Sequence, residues 1–278
     1  MATLAVTGST GTIGGLVARE LAGSGVATRL IVRDTTRAPD LPQADVVQAT
    51  YGDRDASLRA LAGVEVLFMV SAGESSDRRA EHRRFIDASV AAGVTHLVYL
   101  SFSGASETAR FTLARDHAVT EDHIRASGID YTFLRDNFYT EMFPLMAGED
   151  GVIRGPARDG RVAAVSQRDV GAVAARVLAE PASHRNATYE LTGPEALTLD
   201  EIAQALTDET GKPYRFYDET LDEARASRAP YGAPDWQVEA WISTYTAIAD
   251  GELDAVSDDV PRLLGRPGRG FHDVFAGR

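Results

Sequence analysis

The chain has 278 residues, 44% of them hydrophobic, which suits one large α/β domain with an added lobe or two modest domains. Its formal net charge of −13 argues against general binding to nucleic acid or to an anionic membrane, both of which need surplus Lys and Arg. It has no cysteine, which excludes disulfides, thiolate nucleophiles, Cys-ligated zinc and iron–sulfur clusters, and Lys212 is its only lysine.

Met1–Thr7 has no basic stretch ahead of its apolar residues, so it reads as a strand and not as a signal peptide. No run of 18 uncharged apolar residues occurs, and no membrane span is expected. A cytoplasmic protein is the expectation. Short apolar runs follow at Ala27–Val32, Ala44–Ala49, Val64–Val70, His96–Ser101 and Tyr131–Leu134. Those in mid-chain are rich in Val, Leu and Ile, as buried parallel strands are. Between them lie helical spacings, such as Ile13, Leu16, Val17 and Leu21 on one face, and Phe85, Ala88, Ser89 and Ala92 on another. This alternation predicts a doubly wound parallel α/β sheet of the Rossmann type. Asn137–Ala147 reads as helical and Gly148–Gly160 as loop. Arg168–Glu180 reads as an amphipathic helix ended by Pro181, and Thr188–Thr192 as a strand. The last third reads as helical and acidic. The expected division is a dinucleotide-binding domain of residues 1–136 and 161–192. The remainder, 137–160 and 193–278, is expected to be a smaller, mainly helical substrate lobe facing the carboxyl ends of the strands.

The first strand runs into Gly8-Ser9-Thr10-Gly11-Thr12-Ile13-Gly14, and a helix leaves. Gly8 allows a tight turn, Gly11 lets the backbone approach a pyrophosphate, and Gly14 lets the helix pack closely on the strand. The helix N-terminus then offers unpaired N–H groups to phosphate oxygens. The second strand ends at Arg33, with Arg37 one turn further on. Guanidinium groups at this place suit the 2′-phosphate of NADP(H). Asp34 is the competing signal, since a carboxylate there addresses the free ribose of NAD. Ser71, Ala72 and Gly73 end the fourth strand, where small residues permit close approach of the cofactor. Ser101 and Ser103 lie at the end of the fifth, on the edge where ligands bind. The histidines (His82, His96, His117, His123, His184 and His272) are scattered, with no metal-binding spacing. No metal is expected.

The Gly-rich turn followed by Ile31-Val32-Arg33 resembles the NmrA-like group of atypical short-chain dehydrogenase/reductases. Ala91 to Ser101, Ser127 to Arg135, Ser166 to Val170, Tyr189 to Pro194 with Leu197-Thr198, and Leu264-Gly265-Arg266-Pro267 carry the same likeness over almost the whole chain. Tyr51-Gly52-Asp53, Glu81-His82-Arg83 and Asp116-His117 narrow it toward the bacterial type-2 NADPH:quinone reductases. The resemblance implies NADP(H) as cofactor, with Tyr51 and Ser101 beside it. It also implies that Asn137, Phe138 and Tyr139 lie near the nicotinamide, joining Phe102 and Ser103 around a small aromatic or quinone-like substrate. A homodimer is left open.

Typical members of the wider superfamily use a Tyr-x-x-x-Lys pair to exchange a proton with an alcohol or carbonyl. By resemblance those positions are Ala118 and Asp122, so that chemistry is excluded. His117 is then the remaining candidate proton donor, against the alternative of a helix histidine satisfied by a local hydrogen bond. Two functions fit. One is an NADPH-dependent reductase passing hydride directly to a quinone or similar conjugated acceptor. The other is a non-catalytic NADP(H)-binding redox sensor that acts through a protein partner.

Overall fold

The computed structural model describes residues 3–276. Alternation fills the first half: β1 (Leu4–Thr7), α1 (Thr12–Gly23), β2 (Thr28–Val32), β3 (Ala44–Gln48), α2 (Arg54–Leu61), β4 (Val66–Val70), α3 (Arg78–Ala91), β5 (His96–Phe102), α4 (Thr112–Ser127) and β6 (Asp130–Asp136). There follow α5 (Phe143–Met146), β7 (Val152–Gly155), β8 (Arg161–Val162), α6 (Gln167–Ala179) and β9 (Ala187–Leu191). The rest holds β10 (Leu197–Thr198), α7 (Leu199–Thr210), β11 (Arg215–Asp218), α8 (Leu221–Arg228) and α9 (Asp235–Ala249), with α10 (Asp259–Leu264) and α11 (Phe271–Phe275) after them.

The main sheet has the order β3-β2-β1-β4-β5-β6-β9. β1 pairs parallel to β2 on one side and to β4 on the other, Leu4 standing opposite both Thr28 and Val66. The strand order therefore reverses at β1, and the crevice beyond the carboxyl ends of β1 and β4 is the place where such sheets bind ligands. Burial explains the sheet. β1 and β2 are buried along their whole length. Leu67, Met69, Leu97 and Tyr99 of the strands pack on Leu61, Phe85, Ile86 and Ile124 of the helices. Each such side chain contributes about 1.5–3 kcal/mol when fully buried. The one cation inside β2, Arg29, is satisfied: its guanidinium donates to Asp45 at 3.0 Å and to the carbonyls of Ala60 and Ala62 at 2.9 and 2.8 Å.

The chain forms two compact units. The first takes in the chain up to Phe102, Asp116–Arg135 and Arg168–Tyr189; the second takes in Ser103–Arg115, Asp136–Gln167 and the chain from Glu190 on. In the second unit β8 pairs antiparallel with β10, and β7 pairs parallel with β11. Capping boxes start two of its helices, Thr198 with Glu201 at α7 and Thr220 with Glu223 at α8.

The segment Asn137–Ala147, expected as a helix, holds only a 3₁₀ turn at Thr140–Met142 and the short α5. Its backbone bonds elsewhere. Asn137 N–H donates to the Leu191 carbonyl at 3.1 Å, and Thr140 N–H to that of Val165 at 3.0 Å. The Asn137 side chain accepts from the next N–H, of Phe138, at 2.8 Å, a local bond that competes with helix. Pro144 then supplies no N–H to extend a helix through it. The expected loop Gly148–Gly160 contains β7, and the last third includes β10 and β11 beside its helices. Among the described residues no helix is long and apolar enough to cross a membrane.

Candidate dinucleotide site

The Gly-rich turn sits where β1 passes into α1. Gly8 has φ +67°, a left-handed conformation that glycine adopts without strain. The Gly11 N–H donates to the Gly8 carbonyl at 2.9 Å and closes the turn. A Cβ on Gly14 would lie 2.4 Å from the Gly8 carbonyl carbon and oxygen, so only glycine lets α1 approach β1 so closely. A Cβ on Gly11 would meet nothing nearer than 3.4 Å. The space in front of Gly11 is therefore left open by the protein itself.

This turn fits an anion. Gly11 is the N-cap of α1 and provides no capping side chain, and the first turn has no acidic residue. Its N–H groups and the positive end of the helix dipole are thus not neutralised locally. Beside them the Ser9 side chain is buried, and its Oγ has no hydrogen-bond partner. A buried hydroxyl without a partner is uncommon and suits a phosphate oxygen.

A cavity of about 660 Å³ opens at this point. It brings together Gly8, Thr10, Gly11, Arg33, Arg37, Tyr51, Ser71, Ala72 and Gly73. The expected Ser9, Thr12, Ile13 and Gly14 are not among the lining residues: Thr12 is exposed at the start of α1, while Ser9, Ile13 and Gly14 are buried. Thr7, Ala49, Thr50, Val70, Glu74, Ser75 and Glu81 also line it and were not anticipated. The rule that ligands lie at the carboxyl ends of the strands around the switch point could have found Thr7, Ala49, Thr50 and Val70. No sequence signal marks Ser75, and Glu81 entered only within the Glu81-His82-Arg83 likeness.

Arg33 and Asp34 have different surroundings. The Asp34 carboxylate accepts from the Thr36 N–H at 3.0 Å and from the Thr36 hydroxyl at 2.7 Å, capping a 3₁₀ turn. Those bonds hold its pKa below the ordinary carboxylate value. Arg33 and Arg37 line the cavity; Asp34 does not. The Tyr51 hydroxyl is engaged within the protein. The phenol donates to the Val70 carbonyl at 2.6 Å and lies 2.7 Å from Thr7 Oγ1, while the ring stacks on Phe85. Burial keeps that phenol well above its ordinary pKa.

Ser101 stands elsewhere. Its hydroxyl donates to the buried Glu121 at 2.6 Å, and Glu121 is held in turn by Arg125 and Arg135 at 3.0 and 2.7 Å. The hydroxyl is thus spent inside the protein. His117 is likewise engaged inside the protein. It is buried, and Arg78 Nη2 lies 2.9 Å from its Nε2. A guanidinium only donates, so Nε2 accepts, and Nδ1–H donates to Tyr99 Oη at 3.0 Å. Burial first, then the charge of Arg78, keeps the His117 pKa well below the ordinary imidazole value. Both ring nitrogens are thus occupied by partners within the protein.

The expected substrate residues fall in both units. Phe102, in the first, tilts against the His117 ring at 6.1 Å between centroids. In the second unit the Ser103 N–H donates to the Asp136 carbonyl at 2.8 Å. There too Asn137 Nδ2 donates to the Leu253 carbonyl at 3.0 Å, and Phe138 meets Phe111 edge-on. Tyr139 donates its hydroxyl to the Asp136 carboxylate. Burial pushes Asp136 up to about 8. Among the described residues no His, Asp and Glu side chains are grouped as a metal site.

The model of the NmrA-like family matches residues 1–227. The chain belongs to the NmrA-like family. Within it, quinone oxidoreductase 2 of Escherichia coli is 35% identical over 271 residues, 95% of this chain and 94% of that one. The crystal structure of the NADPH-dependent quinone oxidoreductase of E. coli complexed with NADPH superposes with a TM-score of 0.89, covering 98% of each chain at 34% identity. The Citrobacter triphenylmethane reductase complexed with NADP(H) superposes at 0.86, with 32% identity and 98% of each chain covered. A (4-alkanoyl-5-oxo-2,5-dihydrofuran-3-yl)methyl phosphate reductase of Streptomyces griseus is 36% identical over 279 residues, 98% of this chain and 96% of that one. This NmrA-like chain thus has reductases of several unsaturated or aromatic compounds among its relatives.

Proposed function

We propose that this chain is an NADPH-dependent oxidoreductase that passes hydride directly to a quinone or similar conjugated acceptor. The observation that carries the reading is the cavity at the β1–α1 turn, where Gly8 and Gly11 share a wall with Arg33 and Arg37 while Asp34 is turned to Thr36. The open turn, Ser9 Oγ and the first N–H groups of α1 hold the pyrophosphate, and the two guanidinium groups hold the 2′-phosphate. Bound NADPH supplies the hydride.

The chemistry needs little acid–base help. Reduction of a quinone leaves a phenolate, which is stable enough to take its proton from water, so proximity and orientation supply most of the rate. That agrees with Ala118 and Asp122 at the positions of the Tyr–Lys pair, and with a neutral, buried His117. Phe102, Asn137, Phe138 and Tyr139 are the residues proposed to flank the acceptor. The names of the relatives support an acceptor of this kind: a quinone, a triphenylmethane dye and an unsaturated oxo-dihydrofuran.

The test is a panel of quinones and dyes mixed with purified protein and NADPH or NADH, with oxidation of the nicotinamide followed optically. Turnover with NADPH, slowed when the transferred hydrogen is deuterium, is the expected result. Tight binding of NADPH with no acceptor reduced would overturn the reductase reading in favour of the sensor.

A further inference from the structure

The segment after β4 forms one wall of the dinucleotide cavity, from Ser71 to Ser75. It has left the sheet, so its backbone groups need other partners. Ala72 finds both of them on α3. Its N–H lies 2.8 Å from His82 Nε2, and its carbonyl accepts from Arg78 Nε at 3.0 Å. We propose that His82 and Arg78 are positioning residues of the dinucleotide site, holding Ala72 by both backbone groups and so setting the β4–α3 wall of the cavity. The proposal rests on the dinucleotide reading given above.

The arrangement is specified one bond at a time. A backbone N–H only donates, so His82 Nε2 accepts and Nδ1 carries the proton. That proton goes to Thr120 Oγ1, 3.0 Å away, and Thr120 passes its own to the Asp116 carbonyl at 2.7 Å. Arg78 is fixed from the far side, where its Nη2 donates to His117 and its Nη1 lies 3.5 Å from Asp116. Both imidazoles must be neutral with the proton on Nδ1, since a proton on either Nε2 would face an N–H. Burial and the neighbouring Arg78 push the His82 pKa down to about 3, in the same sense. His82 and Arg78 are both buried, so the network is shielded from water. A wall held in place before the ligand arrives spares the ordering cost of binding.

The test compares His82→Leu with His82→Gln. Leucine removes the acceptor; glutamine places an amide oxygen where Nε2 stands. His82→Leu is expected to weaken NADPH binding by about 10- to 100-fold, the scale for a backbone N–H left without its partner. His82→Gln should restore most of that affinity. The KM for NADPH should follow Kd while kcat at saturation changes little. Equal affinity for wild type and His82→Leu would overturn the proposal. So would a glutamine variant as weak as the leucine one, or a loss confined to melting temperature with Kd unchanged in the folded fraction. Should His82→Leu fail to fold, two measurements on the unaltered protein decide the matter. Nitrogen NMR should show the Nδ1–H tautomer at His82, and the Ala72 amide should exchange slowly; the Nε2–H tautomer or fast exchange would overturn it. Wild-type protein that binds no NADPH would remove the dinucleotide reading, which is a separate result.

Discussion

Gly11 and Gly14 are three residues apart, yet substitution at each should fail in a different way. At Gly14 an added methyl would lie 2.4 Å from the Gly8 carbonyl and 2.7 Å from the Thr7 oxygen, both backbone atoms. Relief needs α1 and β1 to separate, an overpacking strain of about 1–3 kcal/mol or more. Alanine recovers up to about 1 kcal/mol in helix propensity. At the upper end of that strain the net loss for Gly14→Ala is about 2 kcal/mol, or a melting temperature lowered by roughly 3–4 °C in a 278-residue chain. At Gly11 the backbone is extended, φ −99° and ψ −177°, and a Cβ meets only the Gly8 oxygen at 3.4 Å. Valine fits that conformation. Gly11→Val should lose only about 1 kcal/mol, through the poorer N-cap. Its branched side chain would stand in the open space, and NADPH binding should weaken by at least ~100-fold, about 2.7 kcal/mol. Thermal melting without cofactor and titration of NADPH fluorescence separate the two losses. A Gly11→Val protein that binds NADPH within a few-fold of wild type, or a Gly14→Ala protein that melts like wild type, would refute the reasoning.

Arg33→Ala should weaken NADPH binding by about 1–3 kcal/mol, the scale of a charge-assisted contact, and leave NADH binding nearly unchanged; equal losses by calorimetry would rule out recognition of the 2′-phosphate. His82 and His117 should stay neutral from pH 8 to 5 in an NMR titration, and either ring titrating near 6.5 would contradict the network around Arg78. Their folded pKa values are depressed, so unfolding takes up protons below about 6.5, and stability should fall with pH below that point by up to about 1.4 kcal/mol per unit for each ring. Asp136 has the opposite sign. Its folded pKa of about 8 exceeds the ordinary value of 3.8, so the folded state holds an extra proton between those limits and stability falls as pH rises through them. Asp136→Asn keeps an acceptor for the Tyr139 hydroxyl and should flatten that decline in urea unfolding measured from pH 5 to 9; an unchanged slope would mean that Asp136 is ionised in the folded protein.

How much of this could be read in the chain depends on how local each cause is. The Gly-rich turn was legible because its conformation is decided within seven residues: a left-handed Gly8, an open Gly11 and a close approach at Gly14. The central parallel strands were legible because burial along β1, β2 and β5 leaves short, mainly apolar runs. The missing Tyr–Lys pair needs no fold at all, since a chain whose single lysine is Lys212 cannot place one on α4. What only the tertiary structure decided are matters of partnership. The Asp34 carboxylate is bonded to Thr36 while Arg33 and Arg37 line the cavity, a difference in surroundings that the adjacent residues do not spell out. The partners of His117 were equally hidden, since Arg78, 39 residues earlier, lies against its Nε2 inside the core. Asn137–Ala147 lost its helix because its backbone bonds to Val165 and Leu191 instead of to itself. Local conformation is written in neighbouring residues, but burial, charge state and hydrogen-bond partners come from segments that folding alone brings together.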